Sequence, residues 1–373
     1  MNAYISLRKH LGLMVVVLLL VSCDSDDSGG DSSGNFDRKS MLTNIADNVI
    51  VPAYDSLSAT TQTLLAQTQE LNFGSSADKV ENLRISWKHA LKQWQYAALY
   101  DFGPASDQGL LSFFNLFPVS TTHIEDNIAS GNYNLETAAN IDAIGLQAMD
   151  YLLFGIESDA ADLANYFSEN PGYINYLIEN ATLMNNKATA TLQGWTSGYR
   201  DSFVNATGTD IGSSLGQLVN VGIQYFEVHL RDAKIGIPAG ARSSSGTPLP
   251  LQVEAYYNGA VSKEMLVNGI EGWQNMFNGN SRTGEQGSGL DDYLKFLGTT
   301  FNGNPLHEGI NERMENAKTQ TLNLSSDLRE AVVNQQNECM DIFSELQQSV
   351  VLLKVDMTSA MGIQITYVDN DGD

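Results

Sequence analysis

Two polar side chains, Gln147 and Asp150, stand three residues apart in an apolar stretch that begins and ends in glycine, Gly145-Leu146-Gln147-Ala148-Met149-Asp150-Tyr151-Leu152-Leu153-Phe154-Gly155. Residues three apart share a helix face, so the amide and the carboxylate point the same way, beside an apolar stripe of Leu146, Met149, Leu152 and Leu153. A polar pair bordered by core residues must be hydrogen-bonded, ion-paired or liganded, because leaving such a group unsatisfied costs about 1–3 kcal/mol. Two chemistries satisfy it. One is coordination of a cation by oxygen donors, which suits ferric iron or calcium better than zinc. The other is a buried hydrogen-bond network between helical layers, and spacing alone leaves both open.

A second group, Glu227, Arg231 and Lys234, follows four- and three-residue steps on one helix face. Glu227 and Arg231 have the spacing of an ordinary ion pair. In the functional reading this face lies across a cleft from Gln147 and Asp150, where Arg231 and Lys234 bind an anionic ligand or neutralise the carboxylates. Asp101, near a helix end marked by Gly103-Pro104, adds an oxygen to that cleft or is a solvated helix-end carboxylate. Trp87 and Trp94 are two helical turns apart and read as core.

Hydrolytic chemistry has weaker support. A zinc peptidase needs three good ligands, an open position and a general base. The nearest string is His307-Glu308-Gly309-Ile310-Asn311, which ends in asparagine where a second histidine is needed. Ser214 occupies the nucleophile position of Gly212-Ser213-Ser214-Leu215-Gly216, but that motif works on a strand-to-helix turn in an α/β sheet. Here it follows a polar turn and opens a helix. Cys339, in a strongly helical stretch, reads as a small buried hydrophobe.

The elements that must position these groups are helices. Apolar spacing predicts helix over 39–71, with Pro52 kinking or breaking it, and over 77–101, 136–154 and 173–202. A turn-rich break at 205–210 precedes further helices over 211–235, 252–277, 290–297, 305–324 and 325–355, with a Gly/Ser/Pro-rich loop at 238–250. The expected fold is all-α, two four-helix-bundle-like domains packed side by side at 36–206 and 207–373. Gly145-Leu146 with Asp150-Tyr151-Leu152 and Gly289-Leu290 with Asp292-Tyr293-Leu294 form a faint echo of duplication.

Residues 1–22 read as a lipoprotein signal peptide: Arg8 and Lys9 precede a short apolar run ending Leu20-Val21-Ser22-Cys23. Cleavage before Cys23 leaves that thiol to be lipidated, and several acyl chains make a stable membrane anchor. Residues 23–35 are an acidic, flexible tether. The formal charge is −24, and loss of Arg8 and Lys9 takes it to −26, a surface that repels nucleic acid. With Cys23 lipidated, Cys339 has no partner for an intramolecular disulfide.

The glycine-bounded stretch resembles the signature of the imelysin-like family, Gly-x-His-x-x-Glu followed by Tyr-Leu-Leu and a glycine. The glycines and Tyr151-Leu152-Leu153 match, while Gln147 replaces the histidine and Asp150 the glutamate. Trp87, Trp94 and Asp101-Phe102-Gly103-Pro104 are similar to the family's tryptophan-rich helix, and Leu230 to Gly240 to its second-half motif. The resemblance implies two helical bundles with the signature helix near their interface. It also implies a bacterial outer-membrane lipoprotein, periplasmic or surface-exposed, that binds iron or an iron-bearing ligand for an iron-transport partner protein. Iron is the one cofactor it suggests. A surface metallopeptidase, after the family's peptidase label, and a non-catalytic interaction module that has lost its ligand site are the alternatives.

Overall fold

In the computed structural model, residues 35–325 and 327–367 are described, so the expected signal peptide and the lipidation site Cys23 lie outside the described residues. The chain is all-α: among the described residues the only strands are Thr300–Phe301 and Asn304–Pro305, a two-residue-loop hairpin. Each long helix follows from its apolar period. In Ala77–Ala97 the residues Val80, Leu83, Trp87, Ala90, Leu91 and Trp94 recur at steps of three and four, and all are buried. Ser76 caps that helix, accepting from the Lys79 amide.

Pro52 does not break the first helix. The chain runs from Arg38–Asn44 through a wider π-helical turn at Ile45–Ile50 into Val51–Glu70. Proline lacks the amide that would bond four residues back and crowds that carbonyl, and the wider turn just before it absorbs the misfit.

Two expected helices begin later than their periodicity suggests. The segment expected over 136–154 divides at Gly145: residues Ala138–Ala143 form 3-10 turns, and the signature helix starts at Gly145 and widens into a π-helical turn at Tyr151–Gly155. Gly145 has φ 80, and a Cβ there would lie 2.4 Å from the Phe114 carbonyl oxygen. The segment expected over 252–277 is helical only from Ser262 to Asn278; Leu249 to Val261 is a loop with short 3-10 turns.

One apolar core runs through both halves of the sequence, and the described residues from Phe36 onward form one unit. Residues 206–213 turn between helices without interrupting that core. The Ala77–Ala97 helix of the first half packs on the Ser262–Asn278 helix of the second. At their crossing stands Gly272, where a Cβ would come within 2.9 Å of the Gln95 carbonyl oxygen. Cys339 is buried, and burial pushes its thiol up to about 12, as a small core hydrophobe requires. Ser213 caps the Ser214–Gln224 helix and Ser214 is its buried first residue, so no nucleophile turn exists there.

Candidate functional site

The signature helix is held at its start by two side chains. Asn180 accepts from the Gly145 amide at 2.8 Å and donates to the Gly145 carbonyl at 3.0 Å, and the Trp87 indole donates to the Leu146 carbonyl at 2.8 Å. Arg84 closes the other end, donating to the carbonyls of Leu153 and Glu157. The two polar residues between are thereby fixed, Gln147 at 3% exposure and Asp150 at 1%.

Both face the loop at 249–261. The Gln147 carbonyl oxygen accepts from the Ala255 amide at 2.8 Å, and its NH2 donates to Asn115 Oδ1 at 2.7 Å. Asp150 accepts from the Tyr257 amide at 2.7 Å and the Asn258 amide at 3.0 Å, one on each oxygen. These acceptors take amides that a helix over 252–277 would bond internally, and Ala255 adopts φ 55; the loop forms here because the signature helix supplies its partners. Burial pushes the Asp150 carboxyl up to about 7, against the two amides and the Arg329 guanidinium, which hold it down. Arg329 also donates to the Tyr256 carbonyl at 2.7 Å, pinning the loop from its far side.

Asn115 links this pair to a buried ion pair. Its NH2 donates to Glu254 Oε1 at 2.6 Å, Gln95 donates to the same oxygen at 3.0 Å, and Lys234 donates to Oε2. Lys234 and Glu254 are both buried, so burial pulls the Lys234 ammonium down while the carboxylate holds it up. Lys234 is thus the member of the second-half face that reaches the network. Arg231 lies against Asp232 and Gln347 and pairs with Glu227 at 3.6 Å, as the four-residue spacing allows, though both are buried; Glu227 also accepts from Tyr367 at 3.1 Å with Lys354 at 3.6 Å. The described partners of Glu227 and Arg231 therefore come from their own half and not from the signature helix. Asp101 also stands elsewhere: it neighbours Tyr54, burial raises its carboxyl, and its Oδ1 has no described hydrogen-bond partner.

A cavity of about 260 Å³ opens on Gln147 and Asp150, walled by Phe117, Pro118, Val119, Leu251, Val253, Tyr256 and Tyr257. Periodicity gives no signal for Asn115, Glu254, Tyr257 or Arg329. The one local hint to the loop is Pro248, Pro250 and Asn258-Gly259, all turn formers.

The donor set does not fit a directly coordinated metal. The pair supplies one carboxylate and one amide oxygen, engaged by three loop amides, and no cluster of three or more His, Cys, Asp or Glu suited to a metal occurs among the described residues. At the other candidate, Asn311 exchanges hydrogen bonds with Asn278 at 2.8 and 3.0 Å, so it does not join His307 and Glu308 in a zinc site.

Solved structures share the fold, two of them as follows. An imelysin-like protein from Psychrobacter arcticum 273-4 superposes with a TM-score of 0.67 at 17% identity, covering 89% of this chain and 97% of its own. A protein from Parabacteroides distasonis ATCC 8503, assigned as an iron-regulated protein A precursor, superposes at 0.71 and 16% identity, covering 88% and 98%. No curated protein matches the sequence. The family described as Imelysin, which carries a peptidase name, matches residues 50–356, and with most of its length inside that match this chain belongs to the imelysin family.

Proposed function

We infer that this chain is a non-catalytic binding protein that serves bacterial iron uptake from a membrane surface, taking an iron-bearing organic ligand rather than a bare ion. One observation carries the reading. Gln147 and Asp150 direct their acceptor oxygens at loop amides at the base of an aromatic-walled cavity whose lining holds one carboxylate and no His or Cys, which suits a small organic surface better than a naked cation. The Leu20-Val21-Ser22-Cys23 string supports the lipid anchor and an outer-membrane address. The iron-regulated name of the Parabacteroides neighbour supports the link to iron, with an iron-transport protein as partner. Peptidase activity lacks support from the residues, since neither the His307 string nor Ser214 stands in a catalytic arrangement.

Calorimetric titration of the chain from Cys23 onward tests this, with ferric, ferrous and zinc ions in one series and a ferric catechol chelate in another. Saturable chelate binding that Tyr256→Ser weakens about tenfold is the expected result. Bare-ion binding that Asp150→Asn abolishes, or chelator-sensitive cleavage of a polypeptide, overturns it. A second reading, a partner-docking module, is favoured by Leu251, which is 61% exposed at the rim of the same cavity.

A further inference from the structure

A second cavity, of about 330 Å³, shares no lining residue with the first. It lies between the start of the Val51–Glu70 helix, the end of the Ala77–Ala97 helix and the turn that follows the Ser262–Asn278 helix. Val49, Pro52 and Ala53 give it an apolar wall. Tyr100, only 1% exposed, also lines it. Its backbone carbonyl accepts from the Tyr54 hydroxyl at 2.8 Å, but its own hydroxyl has no hydrogen-bond partner among the described residues. Burial alone raises that phenol's pKa, so it stays a neutral O–H, a donor without an acceptor.

The rim carries the opposite functionality. Ser281 accepts from the Glu285 amide at 2.9 Å, and its own amide donates to the Glu285 carbonyl at 2.8 Å, closing a tight turn. That turn presents Arg282 with its guanidinium 4.2 Å from the centre of the Tyr96 ring. Tyr96 is itself fixed, its hydroxyl donating to Glu271 at 2.6 Å. Among the described residues no ion pair joins Arg282 to Glu285, whose side chain lines the same rim; the guanidinium lies against Tyr96 and donates to Gln93, with its exposed edge at the cavity mouth.

We propose that this cavity is a second ligand site, selective for a small aromatic monoacid whose ring lies on the apolar wall, whose carboxylate meets Arg282 and whose far end accepts from the Tyr100 hydroxyl. A ligand-sized space, a wall hydroxyl with no described protein acceptor and a cation at the mouth are what such a molecule needs. Both groups are preorganised, the phenol by burial and the guanidinium by its stacking on Tyr96.

The test uses the chain from Cys23 onward and three probes in calorimetry: 4-hydroxybenzoate, benzoate and 4-hydroxybenzyl alcohol. Saturable binding of 4-hydroxybenzoate is expected, about tenfold tighter than that of either analogue. Tyr100→Phe should remove the preference over benzoate and Arg282→Gln the preference over the alcohol. Tyr100→Phe should leave the melting temperature unchanged, because the Tyr100 hydroxyl makes no described hydrogen bond, and Arg282→Gln should lower it only slightly, because Arg282 is exposed and its contacts are at the surface. Ala53→Leu, which fills the wall, should abolish binding. Absence of saturable binding by the wild type, or equal affinity for all three probes in wild type and variants, overturns the proposal.

Discussion

Asp150→Asn isolates the electrostatic cost of the signature carboxylate. Asp150 is almost wholly buried and its carboxyl rises from 3.8 to about 7, chiefly by burial. The unfolded chain releases this proton near pH 4, whereas the native state keeps it until about pH 7. Between those values the native state binds more protons, so this group's contribution is fully present below pH 4 and is lost as pH rises through 7. At roughly 1.4 kcal/mol per pKa unit the whole effect is about 4 kcal/mol, of which about 3 kcal/mol falls between pH 5 and pH 8. Asparagine is neutral throughout and removes that slope. It also turns an NH2 toward one of the two loop amides, an offset of about 1–3 kcal/mol that does not vary with pH. Urea unfolding of both proteins at pH 5, 6, 7 and 8 gives the difference directly. The wild type should gain about 3 kcal/mol over the variant on going from pH 8 to pH 5. Parallel curves would mean that burial does not govern this carboxyl. A gain in the opposite direction would mean that the Tyr257 and Asn258 amides outweigh burial and hold it ionised.

Lys234→Met leaves Glu254 buried without its cation and should cost about 3–5 kcal/mol in the same urea assay, with Glu254→Gln added to it restoring part of the loss. Gly145→Ala forces a methyl to within 2.4 Å of the Phe114 carbonyl oxygen at φ 80, so the signature helix must shift and the melting temperature should fall by several degrees or more. Gln147→His breaks the bridge from Asn115 to the Ala255 amide and should destabilise by about 1–3 kcal/mol without raising affinity for zinc or ferrous iron, as calorimetry will show. Cys23→Ala should release the protein from the membrane fraction, where mass spectrometry should find the wild type beginning at a lipidated Cys23.

The apolar period fixed most helices because each must bury one stripe, and a stripe is a local pattern. Trp87, Trp94 and their neighbours are legible that way, as is the Gly145 to Gly155 stretch with its two polar residues on one face. The same pattern fails where a partner far along the chain competes for backbone amides. The segment over 252–261 reads as helix because its residues are apolar at helical spacing. Gln147 and Asp150, more than a hundred residues earlier, capture the amides of Ala255, Tyr257 and Asn258 instead. Spacing likewise put Glu227, Arg231 and Lys234 on one face but not where that face leads. Only the packing decides that Lys234 reaches Glu254 while Arg231 turns to Asp232 and Gln347. The sequence thus determines which residues would share a face of a regular α-helix, a period from which the π-helical stretch Tyr225–Gly236 departs. What each face meets depends on how distant segments satisfy their buried polar groups together, and that is settled only in the tertiary structure.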